Sequence, residues 1–148
     1  MNRDSEEDRG ATSASSVPTT FDQFVGMRFD DYASGQPRTG HLTIEAHHCN
    51  PTGAINGGVI LSLADNLATG AAGEAYFEKT RERAFMVGVD LHASMLSNQQ
   101  GGRIDAEAHV VRVGRRVTVI RTSVTGNDGK LLAEITTTHV PARVESPS

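Results

Sequence analysis

The stretch "NPTGAINGGVILSLADNLATGAA", from Asn50 to Ala72, decides the fold of this chain. It begins with turn residues, passes two adjacent glycines and continues as an apolar run that predicts a helix. At about 100° per residue, one broad apolar face of this helix comprises Ile60, Leu63, Ala64, Leu67 and Ala71. On the opposite side, Asp65 is the only charged residue between Glu45 and Glu74.

The polar side of this helix has two interpretations. It collects Ser62, Asp65, Asn66, Thr69, Ala72 and Gly73. In the simpler interpretation the helix is amphipathic and its polar side faces water. Solvated helix faces usually carry Lys, Arg and Glu, however, and here Asp65 is the one charge between Ala54 and Gly73. Small, uncharged residues favour a side that another surface covers.

The start of the helix provides a second element of a candidate site. A turn begins at Asn50, Gly53 loosens it, and Asn56-Gly57-Gly58 lead into the first helical turn. Unpaired N–H groups and the positive end of the helix dipole meet there, so an oxyanion or a polarised carbonyl would be stabilised. Most glycine pairs before helices are only caps, and this signal gains weight from the carboxylate that follows.

The spacing of these two elements predicts a dimer. Gly57 and Asp65 are eight residues apart, which corresponds to roughly 12 Å along a helix axis. One carbonyl carbon cannot touch both residues within a single chain. Two antiparallel helices about a two-fold axis would bring the start of one helix to the middle of the other. The same packing would cover the polar side.

The rest of the chain predicts an antiparallel sheet. Before the helix, "RTGHLTIEAH" alternates apolar and polar residues. After it come four strand candidates, "AFMVGVDLHASML", "GGRIDAEAHVVRV", "RRVTVIRTSVT" and "KLLAEITTTHV", the last three joined by tight "VGRR" and "GNDG" turns. In the second of these, one face comprises Ile104, Ala106, Ala108 and Val110. We predict an α+β fold with two strands, the helix and then a meander of four strands.

Composition excludes several classes of protein. A net charge of -4 without a run of Lys or Arg gives no reason to expect nucleic acid or an anionic membrane as a partner. The apolar stretches are too short to span a bilayer, and a single cysteine excludes a disulfide framework. We predict a cytoplasmic protein of one domain over residues 21–141, with a disordered leader over 1–20 and a loose tail over 142–148.

The motif "NPTGAINGGVILSLAD" resembles the helix entry of hotdog-fold acyl-CoA thioesterases, in particular the phenylacetate-pathway-like group with an aspartate on the helix. The family pattern is Asn or Gln, a glycine, His-Gly-Gly, and then Asp or Glu. The resemblance extends from about Val25 to Val140 and implies a curved antiparallel sheet of five to six strands wrapped around one long central helix. The chain departs from the pattern at Asn56, where the family has histidine. Asparagine still donates a hydrogen bond but has no cationic form.

The resemblance also implies roles for the matching residues. Gly57 would offer its backbone N–H to the thioester oxygen, and Asp65 of the partner subunit would act as general base or as nucleophile. Asn50 would position the thioester or the lytic water, and Asn56, at the position of the family histidine, is predicted to be a catalytic residue as well. Substrate contacts would come from Gly58, Thr69, Gly88 and Ser94. In this set Gly88 would only leave room for the substrate. Thr69 is equally compatible with ordinary helix packing.

Coenzyme A, as part of the substrate, would need cations for its phosphates. Arg112, Arg115 and Arg116 surround the "VGRR" turn, although hairpin tips also carry charge for solubility. No other cofactor is predicted. The "HHC" run at residues 47–49 lacks a second ligand pair at zinc-type spacing, so no metal site is predicted either.

Three functions remain open at this point. The first is an acyl-CoA thioesterase acting on an aryl- or medium-chain acyl-CoA as a homodimer, pairing further into a homotetramer. The second is a hotdog hydratase or dehydratase, against which Asn56 argues because such enzymes pair a histidine with an acid. The third is a non-catalytic acyl-CoA-binding protein, against which Asp65 counts.

Overall fold

A six-stranded antiparallel sheet packs against one 24-residue helix in the computed structural model of this chain, which describes residues 19–142. The helices are α1 (Phe21–Val25) and α2 (Gly57–Thr80), and short 3-10 turns span Ala46–His48 and Asn127–Gly129. The strands are β1 (Arg28–Phe29), β2 (Arg38–Thr43), β3 (Phe85–Met95), β4 (Arg103–Val113), β5 (Thr118–Thr125) and β6 (Leu131–Ala142). Helix α2 contacts every strand from β2 to β6. The predicted α+β arrangement of five to six strands around one long helix is confirmed.

The predicted leader and tail fall mostly outside the described residues. Residues 1–18 and 143–148 lie outside them, and the predictions for those segments stay predictions. Residues 19, 20 and 142 of these predicted segments are described. Thr20 precedes helix α1 as its cap, and Ala142 is the last residue of β6, paired with Phe85.

Helix α2 buries the face that the sequence predicts. All five residues of the predicted apolar face are buried, and the helix is capped at its start by the side chain of Asn56. It ends at Thr80 because Arg81 adopts the left-handed conformation (φ 63°), from which its N–H bonds the carbonyl of Phe77. Among the helices within residues 19–142, none combines the length and apolarity that a bilayer crossing requires.

The strand order corrects one prediction. The order across the sheet is β1-β2-β4-β5-β6-β3, so β4, β5 and β6 form a meander, but β3 does not pair with β4. Strand β3 lies at the far edge beside β6, and the predicted four-strand meander is wrong in this respect. The physical reason is that both edges of β4 are already paired, one with β2 and the other with β5. Alternation identifies a strand but does not identify its neighbours.

A β-bulge changes which side chains of β3 face the helix. The register with β6 shifts between Gly88 and Asp90, so Val89 is the extra residue. Gly88 pairs with His139 on the helix side, whereas Ser94 pairs with Glu134 on the opposite face. An unbroken strand would place Gly88 and Ser94 on the same face of the sheet, but the bulge places them on opposite faces.

Strand β3 is also a long unpaired edge. Its outer side has no neighbouring strand within the part of the chain that the structure describes. Along its eleven residues it exposes Phe85, Val87, Val89, Leu91 and Met95. Apolar edges of this length are rarely left open in soluble proteins, because they pair with other chains.

Candidate active site

The start of α2 presents one backbone N–H without an acceptor. The N–H of Gly58 bonds Oδ1 of Asn56 at 2.7 Å, and the N–H of Val59 bonds the carbonyl of Asn56. The N–H of Gly57 has no acceptor among residues 19–142. A Cβ at Gly57 would meet Cε of Met95 at 3.3 Å, so glycine keeps the approach to this amide open. Of the two predicted glycines, Gly57 is the one whose amide is available to a substrate.

The turn before the helix holds Asn50 in place. Its Oδ1 accepts hydrogen bonds from the N–H and hydroxyl of Thr52, and its carbonyl accepts one from the N–H of Gly53. Gly53 has φ of 84°, a conformation that favours glycine. With Oδ1 engaged in this Asx-turn, the amide NH₂ of Asn50 is the group left to donate to a substrate or water.

Asp65 lies half-buried in the middle of α2, beside strand β3. A Cβ at Gly88 would be 3.4 Å from Oδ1 of Asp65, so the carboxylate lies directly against the backbone of that glycine. Within the described chain no donor bonds this carboxylate. The hydroxyl of Thr69 donates to the backbone carbonyl of Asp65 at 2.8 Å and not to its side chain. This bond is the one expected of an ordinary helix threonine.

A histidine that the sequence analysis did not select lies next to Asp65. His139, from β6, is fully buried against Gly88, and its Nε2 is 2.8 Å from the hydroxyl of Thr137. Burial lowers the pKa of His139, and the negative charge of Asp65 opposes this in part. No local signal could have identified it, because "TTTHV" reads as an ordinary strand and only sheet pairing brings it to α2.

The lowered pKa of His139 makes stability depend on pH. The unfolded chain binds a proton at this histidine more readily than the folded chain, so the free energy of unfolding decreases as pH falls below about 6.5. Denaturant unfolding at several pH values between about 6.5 and 5 should show a smaller decrease for His139→Leu than for the wild type. Parallel curves for the two proteins would contradict this expectation.

The remaining predicted residues lie on the surface. Arg112, Arg115 and Arg116 are exposed at the end of the β4–β5 hairpin. At this end of the sheet, one row of paired residues crosses four strands: Val113, Thr118, His139 and Gly88. The arginines therefore lie toward the same end of the sheet as Gly88.

The histidine run before α2 has a structural role. Nδ1 of His48 accepts from the N–H of Glu45 at 2.9 Å, and Nε2 lies 2.6 Å from the carbonyl of Val25. Both ring nitrogens are thus engaged. In the described range no group of three His, Cys, Asp or Glu side chains is arranged to hold a metal ion.

A single chain does not complete a site around Gly57 and Asp65. Gly57 lies at the start of α2, against Met95 near the end of β3, while Asp65 lies two helical turns further on. A cavity of about 520 Å³ lies on the other side of the helix, beside Arg38, Ala75 and Ala108. It includes neither residue.

An antiparallel sheet packed against one long helix is the arrangement of the hotdog class of thioester hydrolases. The chain belongs to the thioesterase superfamily, whose family model matches residues 52–133. Over 119 residues, which are 79% of each chain, it is 27% identical to PA1618 of Pseudomonas aeruginosa, a protein named as a putative esterase.

Solved structures show the same fold. The thioesterase HI1161 of Haemophilus influenzae superposes with a TM-score of 0.75 at 19% identity, over 84% of each chain. The PaaI protein of the E. coli phenylacetic acid degradation operon superposes with a TM-score of 0.72 at 18% identity, over 82% of this chain and 83% of PaaI. The predicted hotdog fold is confirmed, and the protein is a thioester hydrolase.

Proposed function

We propose that the protein is an acyl-CoA thioesterase that hydrolyses an aryl- or medium-chain acyl-CoA to the free acid and coenzyme A. The observation that carries the proposal is the N–H of Gly57, which has no acceptor within the described residues and lies at the start of the same helix that carries Asp65. An amide donor for the oxyanion and a carboxylate that acts as base or nucleophile together can catalyse acyl transfer to water. The reaction needs no further cofactor, because these groups and water supply the chemistry.

The reaction uses one residue from each of two chains. The N–H of Gly57 binds the thioester oxygen, and Asp65 of the partner subunit either removes a proton from water or attacks the carbonyl carbon itself. In the first route the water oxygen bonds the acyl carbon, the oxygen of the tetrahedral intermediate is held by Gly57, and the C–S bond breaks with its electron pair going to sulfur. Asn50 holds the thioester or the water through its amide, and Asn56 orients the helix start through its bond to Gly58.

The exposed edge of β3 supports a homodimer. Pairing of two β3 edges about a two-fold axis would continue the sheet and cover Val87, Val89 and Leu91. It would also set the two α2 helices side by side, so that the half-buried side containing Asp65 is covered. We propose that such dimers pair further into a homotetramer. The coenzyme A phosphates are bound by the arginines of the β4–β5 hairpin, Arg112, Arg115 and Arg116. The protein acts in the cytoplasm.

Introducing a charge at the β3 edge should break the dimer. Lysine on an edge strand opposes strand pairing, and a two-fold axis would bring two such charges together. We expect Leu91→Lys, at a position 41% exposed in the single chain, to be monomeric by light scattering and to lose thioester hydrolysis. The control Val111→Lys, at a 51% exposed position in β4, should remain at least dimeric and active. An active Leu91→Lys monomer would contradict the two-chain site.

A panel of acyl-CoA substrates tests the activity itself. Wild type should cleave at least one aryl- or medium-chain acyl-CoA, measured as released thiol, and Asp65→Ala should not. Cleavage that survives in Asp65→Ala would remove the proposed mechanism. Binding without cleavage of any substrate by the wild type would favour the alternative, a non-catalytic acyl-CoA-binding protein. Hydration of an enoyl-CoA would instead identify the less favoured hydratase.

A further inference from the structure

Gly88 leaves a niche on the helix side of β3 that is bordered by two functional groups. A Cβ at this position would lie 3.4 Å from Oδ1 of Asp65 and 3.7 and 3.8 Å from Cε1 and Nδ1 of His139. Gly88 is not among the glycines with positive φ, so its backbone conformation does not require glycine. A methyl group would fit here at ordinary contact distance from both side chains, and glycine leaves that volume unfilled.

His139 has a buried nitrogen that faces this region without a partner. The residue is 0% exposed, and Nδ1 makes no hydrogen bond within residues 19–142, whereas Nε2 is engaged by Thr137. The hydroxyl of Thr118, which is paired with His139 across the sheet, is also buried without a partner. Buried polar atoms almost always bond a protein group or an ordered water, and for these two atoms the described chain supplies no such group.

The ring of His139 is neutral near pH 7, since burial lowers its pKa. A neutral imidazole has one donor and one acceptor nitrogen. Asp65 of α2 is the charged group that faces the ring, while its neighbours on the adjacent strands, Gly88 of β3 and Thr118 of β5, carry no charge. A carboxylate and a neutral imidazole can hold one water between them.

We propose that His139 is a positioning residue for thioester hydrolysis, which holds in the niche over Gly88 the water that Asp65 deprotonates. The inference rests on the proposed function and selects the general-base route for Asp65. The water oxygen bonds the acyl carbon, its proton passes to the Asp65 carboxylate, and the electron pair of the C–S bond leaves with sulfur. His139 stays neutral throughout and neither gains nor loses a proton.

Filling the niche tests the position of the water. Gly88→Ala places a methyl group at ordinary contact distance from Asp65 and His139, so it excludes the water without forcing the backbone to move. We expect kcat to fall about 100-fold with KM nearly unchanged, because a misplaced reactant costs about that much. The matched control is Gly73→Ala on α2, where a Cβ would meet only Cγ of Met86 at 3.9 Å. It should keep wild-type kcat, and both variants should remain dimeric.

Removing the imidazole tests the second anchor of the water. His139→Leu should lower kcat about tenfold or more, whereas His139→Asn, which restores a polar atom near the place of Nδ1, should recover most of it. The crystal structure of the wild type should show a water within hydrogen-bond distance of both Nδ1 of His139 and Oδ1 of Asp65. The structure of Gly88→Ala should lack it.

The outcomes separate this inference from the proposed function. Suppose that the wild type cleaves acyl-CoA and that both variants, Gly88→Ala and His139→Leu, keep the wild-type kcat. The positioning role of His139 is then wrong, while the proposed thioesterase activity is retained. If His139→Leu and His139→Asn lose stability equally with kcat per folded molecule unchanged, the histidine is only a core residue and the inference is again overturned. If wild type cleaves no acyl-CoA, the proposed function fails first.

Discussion

Asp65→Asn is expected to lower kcat at least about 100-fold and to leave KM nearly unchanged. Asparagine has the same shape as aspartate but can neither accept a proton nor attack a carbonyl, and a positioned general base contributes about 10²–10⁴-fold to rate. Substrate contacts made by the rest of the site are retained, so binding should survive. Steady-state hydrolysis of the best acyl-CoA, with kcat and KM determined separately, measures the effect.

A neighbouring variant controls for damage to the helix. Asn66 is also half-buried on α2, and within residues 19–142 its side chain makes one hydrogen bond, as donor to the backbone carbonyl of Ser62. Asn66→Ala should therefore retain most of the wild-type kcat. If Asp65→Asn hydrolyses the substrate at the wild-type rate, the carboxylate is not part of the chemistry.

Gly57→Pro should lower kcat by a similar factor, because it removes the proposed oxyanion donor and changes little else. Gly57 is the first residue of α2, a position where proline fits, and Asn56 already has the extended conformation (φ -66°, ψ 131°) that a following proline requires. Loss of one oxyanion donor typically costs about 10²–10³ in kcat. Gly57→Ala keeps the N–H and adds a Cβ near the flexible end of Met95, so it separates loss of the donor from crowding. It should stay far more active than the proline variant.

Combining the two inactive variants tests whether the site is shared between chains. A mixed dimer of Asp65→Asn with Gly57→Pro contains one site with both residues intact and one with neither. Equal co-expression with random pairing should therefore restore about one quarter of wild-type activity. A mixture that stays inactive while mixed dimers are present, by mass spectrometry, would show that Gly57 and Asp65 do not meet across the interface.

Local sequence was sufficient for the central part of the structure. The period of the apolar residues identifies α2 and its buried face, the glycine pair marks its start, and the lone Asp65 stands out because its neighbours are uncharged. The separation between Gly57 and Asp65 follows from helix geometry alone. These features depend on residues within a few positions of one another, so they can be read from the sequence.

Other features of the candidate site depended on pairing between distant segments. Which strand lies beside β3 was predicted incorrectly, and the bulge at Val89, which separates Gly88 from Ser94, left no mark in the pattern of residues. His139 is 74 positions from Asp65 along the printed chain, and only the β3–β6 register brings it to the carboxylate.

The sequence by itself therefore determined the helix, its face and the two groups that it carries, because helical periodicity is a local property. Only the tertiary structure decided the strand neighbours, the unpaired edge of β3 and the histidine beneath Asp65. Strand pairing joins segments far apart in the chain, and its register is selected by packing over the helix, which no short stretch of residues specifies.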